Sequence, residues 1–428
     1  MSTNAADDTT DDPINDTTDE RQKSGGQQPV SDDPSRDLSS RRTRRRFLTA
    51  TGTAGAVALA GCSAEQTGDD ATDDGATDDA DDADDADDTD DDEAETTPTL
   101  TVATYGSFID APSVSPGEWL KDEFESRFDA EVEWATPDNE VNHYIERAQS
   151  GADIDADLYV GLTTGNLVRV DEALDEDLFV SAGEIPGDAD IRDGLRFDPF
   201  ERAVPFDTGY VSLVYDGTET EAPETFDGLL DEEHRGDLIA QNPGGSETGE
   251  AFLLHTVHQF GDGDAIAGEA DTDDDYLDFW ADLQANDVRV LGSWGDSYSA
   301  WGEGEAPMVV SYSTDQVFAA GEGADLEQHQ IRFLNDQAYA RPEGMALFAD
   351  SDQPELAREF MSFMLEPEVQ GEIAERNVAF PATETATLPD DYAELAQEPT
   401  DPVTFTYEEL QDSLDEWVSD WERQFAEN

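Results

Sequence analysis

The chain has 428 residues, enough for two domains with real cores. Its 106 Asp and Glu stand against 22 Lys and Arg, for a formal net charge of −84. Such a surface repels nucleic acid and anionic lipid, which excludes a nucleic-acid partner; 36% hydrophobic residues and seven Trp after residue 118 exclude a wholly disordered acidic chain and point to a folded protein of an extreme halophile, where molar salt screens self-repulsion beyond about 3 Å.

Residues 1–40 are polar and lack apolar periodicity, so they read as disordered. Thr43-Arg44-Arg45-Arg46-Phe47-Leu48 leads into a run of small apolar residues, Ala50 to Ala60, that ends in Gly61-Cys62. A basic segment, a short apolar stretch and small residues before a cut site make a signal peptide, so 1–62 reads as a disordered N-terminus plus a twin-arginine lipoprotein signal, in which Arg44 and Arg45 point to export in the folded state. The stretch is shorter than the roughly 20 apolar residues of a membrane helix. Leu59-Ala60-Gly61-Cys62 resembles a lipoprotein processing box, which makes Cys62 the expected lipidation site and the outer face of the cell membrane the expected location. Cys62 is the sole cysteine, so no intramolecular disulfide is possible. Residues 63–98 are nearly all Asp, Ala, Thr and Glu; like charges repel, giving an extended, flexible tether.

From Leu100 the pattern alternates strands and helices. Leu100 to Tyr105 reads as a buried strand. Ser115-Pro116 reads as a helix start, with Leu120, Phe124 and Phe128 on one face. Strands follow at Glu131–Trp134 and Ala156–Leu162, around a helix from Asn142 to Gln149. Arg202–Asp216 is long and strand-like, and Asp237–Gln241 ends in a turn, Asn242 to Gly249, that opens a helix carrying Phe252, Leu253, Val257 and Phe260. Arg289–Leu291 and Met308–Tyr312 are further strands. Gln353–Glu375 is a helical pair broken near Pro367, and Tyr407–Phe425 is a terminal helix with Leu410, Leu414, Trp417 and Trp421 on one face. Strands spaced by helices predict an α/β fold with mainly parallel sheets.

Ligands of such folds bind beyond the carboxyl ends of strands. Six strand ends carry polar and aromatic clusters: Tyr105–Phe108, Pro137–Glu140, Gly161–Thr164, Gly244–Gly249, Ser293–Tyr298 and Tyr312–Asp315. Together they predict one cleft of Tyr, Trp, Ser, Thr and carboxylates. Catalytic signatures are missing: the chain has no Gly-x-Ser-x-Gly elbow and no phosphate-binding loop. His255 and His258 share a helix face at i, i+3 but lack an apparent third ligand, so no metal site is assigned. No acid–base pair is singled out among so many carboxylates.

Ala357-Arg358-Glu359-Phe360 and Phe363 to Gln370 resemble the helix pair shared by the two-domain solute-binding proteins of ABC importers. Thr101–Phe108, Pro205–Tyr210 with Val214-Tyr215-Asp216, Ser293–Tyr298, Ser311–Thr314 and Trp417–Trp421 resemble the thiamine-binding members of that family, and the similarity runs from about Leu100 to Phe425. The resemblance implies a two-lobed α/β periplasmic-binding-protein-like (type II) fold. Lobe I would take 99–207 and 312–428 and lobe II 208–311, closing by a hinge. It also implies a small-molecule ligand, thiamine or a phosphate ester, delivered to an ABC permease with its ATPase; no cofactor, metal or catalytic residue follows.

Thiamine carries a permanent thiazolium charge, which aromatic faces attract by about 0.5–2 kcal/mol per contact. By resemblance Tyr105, Trp294 and Tyr312 form aromatic walls, with Tyr298 completing the Trp-x-x-x-Tyr turn. Asn139 and Glu140 stand at ligand-contacting positions. Ser246 and Glu247 occupy a helix N-terminus that could meet a hydroxyl or phosphate, and Ser313, Thr314, Asp315 and Gln316 follow Tyr312. Plainer roles stay open: core packing for Tyr105, Trp294 and Tyr312, solvation for Glu140, helix capping for Ser246. Two positions depart from the family: Val378 replaces an aromatic after Asn377, and Glu247 replaces a small hydroxyl residue, which favours unphosphorylated thiamine. The same fold could instead hold a polyamine or ferric iron, and an α/β scaffold could also carry a secreted enzyme.

Overall fold

The computed structural model describes residues 97–427 apart from 112–113, 264–265, 267 and 270–274. The twin arginines Arg44 and Arg45, Cys62, the leader over 1–62 and nearly all of the 63–98 tether lie outside the described residues.

Along the chain, β1 (Thr99–Ala103) leads through α1 (Gly106–Ile109) and α2 (Gly117–Arg127) to β2 (Glu131–Ala135), then through α3 (Val141–Ser150) to β3 (Leu158–Leu162) and α4 (Thr164–Ala173). A two-residue strand, β4 (Phe179–Val180), precedes the long β5 (Ala203–Tyr215). Then come β6 (Leu238–Gln241), α5 (Glu247–Phe260), α6 (Tyr276–Ala285), β7 (Arg289–Leu291), α7 (Trp294–Gly302), β8 (Met308–Tyr312), α8 (Asp315–Glu322), β9 (Gln330–Arg332) and a second long strand, β10 (Gln337–Phe348). The chain closes with α9 (Pro354–Met364), α10 (Pro367–Arg376), β11 (Phe380–Pro381), α11 (Tyr392–Leu395), β12 (Asp401–Val403), α12 (Tyr407–Leu410) and α13 (Leu414–Glu427).

The described strands join one sheet whose main path runs β2-β1-β3-β10-β5-β8-β6-β7. At one end β1 pairs parallel with β2 and β3; at the other β6 pairs parallel with β7 and β8. Between these parallel triplets β5 and β10 run antiparallel to each other, and each pairs antiparallel with its outer neighbour. Each triplet is the seed of one lobe, and β5 and β10 pass between them, so the open carboxyl ends of both triplets face a shared gap. The parallel character expected is present in both lobes, joined by two antiparallel crossing strands.

Local sequence accounts for the elements. In α5 the Ser246 side chain caps the helix by accepting from the Gly249 N–H at 3.4 Å, and Gly261 at φ +83° ends it. Thr163 and Asn166 form a capping box at α4. Ser115 does not cap α2 as expected: its hydroxyl accepts from Ala111 N–H and donates to Ser107 O, tying down the loop after α1, and the helix begins at Gly117. The expected terminal helix is two, because Asp412 sits at φ +65° and donates its N–H to Glu172. Leu410, Leu414, Trp417 and Trp421 still share one core. Trp421 meets Trp280 edge-on at 5.3 Å, so α13 packs on the helices that follow β6 rather than on those around β1.

Each fully buried aromatic of this core contributes about 1.5–3 kcal/mol. A second core, with Leu100, Val102, Phe124, Phe360 and Phe363, lies under β1 to β3. These cores hold the strand ends rigid where the site is built.

Candidate functional site

A cavity of about 520 Å³ opens where the two triplets face each other across β5 and β10. Tyr105, just past β1, has its ring against Gly161: a Cβ there would lie 2.4 Å from the ring, and Gly161 is at φ +99°, so only glycine fits. Tyr312, the last residue of β8, stands against Gly209 of β5, where a Cβ would come within 2.7 Å of its ring. Trp294 and Tyr298 lie one turn apart on α7 and stack at 5.1 Å with 27° between their planes; Tyr312 closes the group 6.3 Å from Trp294. Polar atoms hold these rings in place. The Trp294 indole N–H donates to Ser311 Oγ at 3.0 Å, the Tyr312 hydroxyl meets Thr248 Oγ1 at 2.9 Å, and the Tyr298 hydroxyl donates to Asp315 Oδ1 at 2.6 Å.

The floor is charged. Arg341 of β10 is buried and ion-pairs with Glu343 and with Glu247, the first residue of α5. Directly opposite Glu343, on β5, is Asp207. Asp207 Oδ2 accepts from the Asn377 amide at 2.6 Å, which also hydrogen-bonds the Tyr105 hydroxyl. Asp207 Oδ1, Glu343 Oε2 and Arg341 Nε have no hydrogen-bond partner among the described residues. Burial, reinforced by Glu343, pushes the Asp207 carboxyl well up from its ordinary value. Burial also raises Glu140, against the pull of Arg341. Six carboxylates (Asp110, Glu140, Glu247, Asp296, Asp315 and Glu343) and one guanidinium, Arg341, are among the lining residues. A site of this kind favours a cation, because the fixed charges already in place are left in excess.

Two lining residues adopt strained backbone: Glu140 at φ +49°, ψ −127° and the β-branched Val378 at φ +51°, a conformation costing about 1–3 kcal/mol. Val378 is held there in part by the Thr314 hydroxyl, which donates to its carbonyl.

A model of the family described as bacterial extracellular solute-binding protein matches residues 119–400. The chain belongs to that family. This solute-binding protein is 29% identical over 327 residues to the thiamine-binding periplasmic protein of Escherichia coli (strain K12), covering 76% of this chain and 93% of that one. It is 28% identical over 334 residues to the protein of the same name from Brucella suis biovar 1, covering 76% and 91%. Among solved structures it superposes on a periplasmic thiamin binding protein with a TM-score of 0.66 at 27% identity, over 77% of this chain and 97% of that one. The fold is also shared with iron-bound HitA from Pseudomonas aeruginosa (TM-score 0.61, 17% identity, 76% and 99% covered). The two-lobed α/β fold expected from the sequence is therefore the fold of this solute-binding protein.

Of the residues singled out in the sequence, Tyr105, Glu140, Ser246, Glu247, Trp294, Tyr298, Tyr312 and Asp315 line the cavity. Asn139 is exposed and outside it. Ser313 and Thr314 are buried behind Tyr312, and Gln316 is engaged with His329 O and Gln397. The Gly161–Thr164 strand end supports Tyr105 from behind and caps α4 rather than facing the cavity. Sequence reasoning missed Arg341, Glu343 and Asp207. For His255 and His258, no group of three or more His, Cys, Asp or Glu side chains that could hold a metal ion is found among the described residues. His255 is buried against Phe226, and burial pushes it down to about 3.

Proposed function

We propose that this solute-binding protein captures thiamine in the cavity between its lobes and hands it to the permease of an ABC importer. The observation that carries the reading is the pairing of an aromatic wall, Trp294–Tyr298–Tyr312, with an excess of carboxylates among the lining residues. A flat organic cation satisfies both: its face meets the rings and its charge offsets Glu343 and Glu140. The relatives named for thiamine binding support the same ligand. Tyr105, Glu140, Ser246, Glu247, Trp294, Tyr298, Tyr312 and Asp315 are the proposed ligand-facing set, joined by Arg341, Glu343, Asn377 and Val378. The reading assigns no catalytic role.

Two further parts of the reading rest on sequence. Arg44 and Arg45 direct export in the folded state and Cys62 takes the lipid, so the body works on the outer face of the membrane at the end of the 63–98 tether. The formal charge of −84 suits molar salt. The lobes exchange chain near Asp207 and Tyr312 and close around ligand by a hinge.

Thermal unfolding tests the ligand. A hundredfold excess over Kd stabilises a binding protein by about 2.7 kcal/mol, so thiamine should raise the midpoint by several degrees while spermidine and Fe(III) do not. A rise with spermidine or Fe(III) and none with thiamine would replace thiamine within the same class.

A further inference from the structure

The way the helices meet the cavity narrows the ligand further, given the thiamine reading on which this inference rests. A helix N-terminus is the natural seat for a phosphate, since free backbone N–H groups and the helix dipole both attract an anion. Four helices of eight or more residues begin at this cavity, and each places a carboxylate of its own at that end. Glu140 precedes α3, Glu247 is the first residue of α5, Asp296 lies in the first turn of α7, and Asp315 begins α8. All four residues line the cavity, and the Asp315 carboxylate is already taken up by the Tyr298 hydroxyl and the His329 ring.

The remaining anchor for an anion is equally engaged. Arg341 is the sole Lys or Arg among the lining residues, and its guanidinium is held between Glu247 and Glu343. A phosphate reaching Arg341 would have to displace a carboxylate and leave it buried without a partner. It would also bring at least one more negative charge beside Glu140, Glu247 and Glu343.

We propose that this site selects the unphosphorylated organic cation and rejects its phosphate esters, with Glu247 as the specificity-determining residue that occupies both the α5 N-terminus and Arg341. The hydroxyl end of the ligand is then met by neutral donors and acceptors such as Ser246 and Thr248, and the cationic ring by Trp294, Tyr312 and the carboxylates.

Calorimetric titration of the protein with thiamine, thiamine monophosphate and thiamine diphosphate, at one fixed salt concentration, tests this. The expected order is thiamine tightest, the monophosphate at least tenfold weaker and the diphosphate weaker still. In Glu247→Gln, which leaves one Arg341 edge free, the ratio of monophosphate to thiamine Kd should shrink at least fivefold. Asp296→Asn, at an exposed position on α7, should shrink it in the same direction and serves if Glu247→Gln does not fold. Monophosphate binding as tight as thiamine, or ratios unchanged in both variants, would overturn the selectivity while leaving the thiamine reading standing. Failure of all three ligands to bind would remove the reading and the inference with it.

Discussion

Asp207 and Glu343 stand directly opposite each other on adjacent antiparallel strands, both buried, each with one carboxylate oxygen that no donor among the described residues reaches. Like charges facing each other across a ladder are destabilising, and the arrangement persists because Asn377 and Arg341 each hold one partner. Of the two, Glu343 lines the cavity, and its charge is the one a cationic ligand would offset.

The pair makes ligand-free stability pH-dependent. The Asp207 pKa is raised in the folded state above its ordinary 3.8, so the folded protein binds more protons than the unfolded chain between that value and the raised one. This contribution to stability is fully present below pH 3.8 and is lost as pH rises through the folded value. Thiamine affinity should move the opposite way in the same window, because the cation and the proton compete for the site. Asp207→Asn should flatten both trends, as read by unfolding midpoints and by titrations across pH; trends unchanged in the variant would show that another group carries them.

His255 pulls in the other direction. Its pKa falls from 6.5 to about 3 on burial, so the unfolded chain binds more protons between those values and the folded protein loses stability as pH falls from 6.5 towards 3, by on the order of 1 kcal/mol per unit. His255→Phe should remove this acid sensitivity if the larger ring is accommodated, and His255→Leu serves as a smaller alternative. The check is the slope of unfolding free energy against pH.

The aromatic wall sets affinity. Trp294→Ala removes the ring stacked on Tyr298, and Tyr312→Ala removes the one facing Gly209. At about 0.5–2 kcal/mol per cation–π contact, each should weaken thiamine binding roughly 2- to 30-fold, with far-ultraviolet circular dichroism unchanged. Full affinity in both variants would move the ligand elsewhere.

Gly209 is the less obvious member of that wall. A methyl group there meets the Tyr312 ring at 2.7 Å, so Gly209→Ala should cost about 1–3 kcal/mol of stability through overpacking and also weaken binding by displacing the ring. Denaturant unfolding paired with titration separates the two effects; an unchanged Kd would show that Tyr312 yields without consequence for the ligand.

Much of this was legible in the sequence because it was local. Strands spaced by helices announced the fold, and aromatic and hydroxyl residues just past β1, β6, β7 and β8 announced the cleft. The charged floor was not legible. The β10 sequence, Gln337 to Phe348, carries Arg341-Pro342-Glu343-Gly344 at its centre, and proline and paired charges argue against a strand. It is one nonetheless: Arg341 and Glu343 ion-pair in the interior, and the groups that meet them there, Asp207 on β5 and Glu247 on α5, are brought in by long-range topology. Ser293 to Tyr298 read as a turn at a strand end, yet Ser293 accepts from the Asp296 N–H and caps α7, which is what sets Trp294 and Tyr298 one turn apart on one face.

The central claim is that this cleft binds a thiamine cation, and calorimetric titration of thiamine into the purified protein tests it most directly. The account predicts saturable binding at one thiamine per chain that is lost or strongly weakened in the Trp294→Ala, Tyr312→Ala double variant. No saturable binding to the folded protein, or binding indifferent to both substitutions, would contradict it.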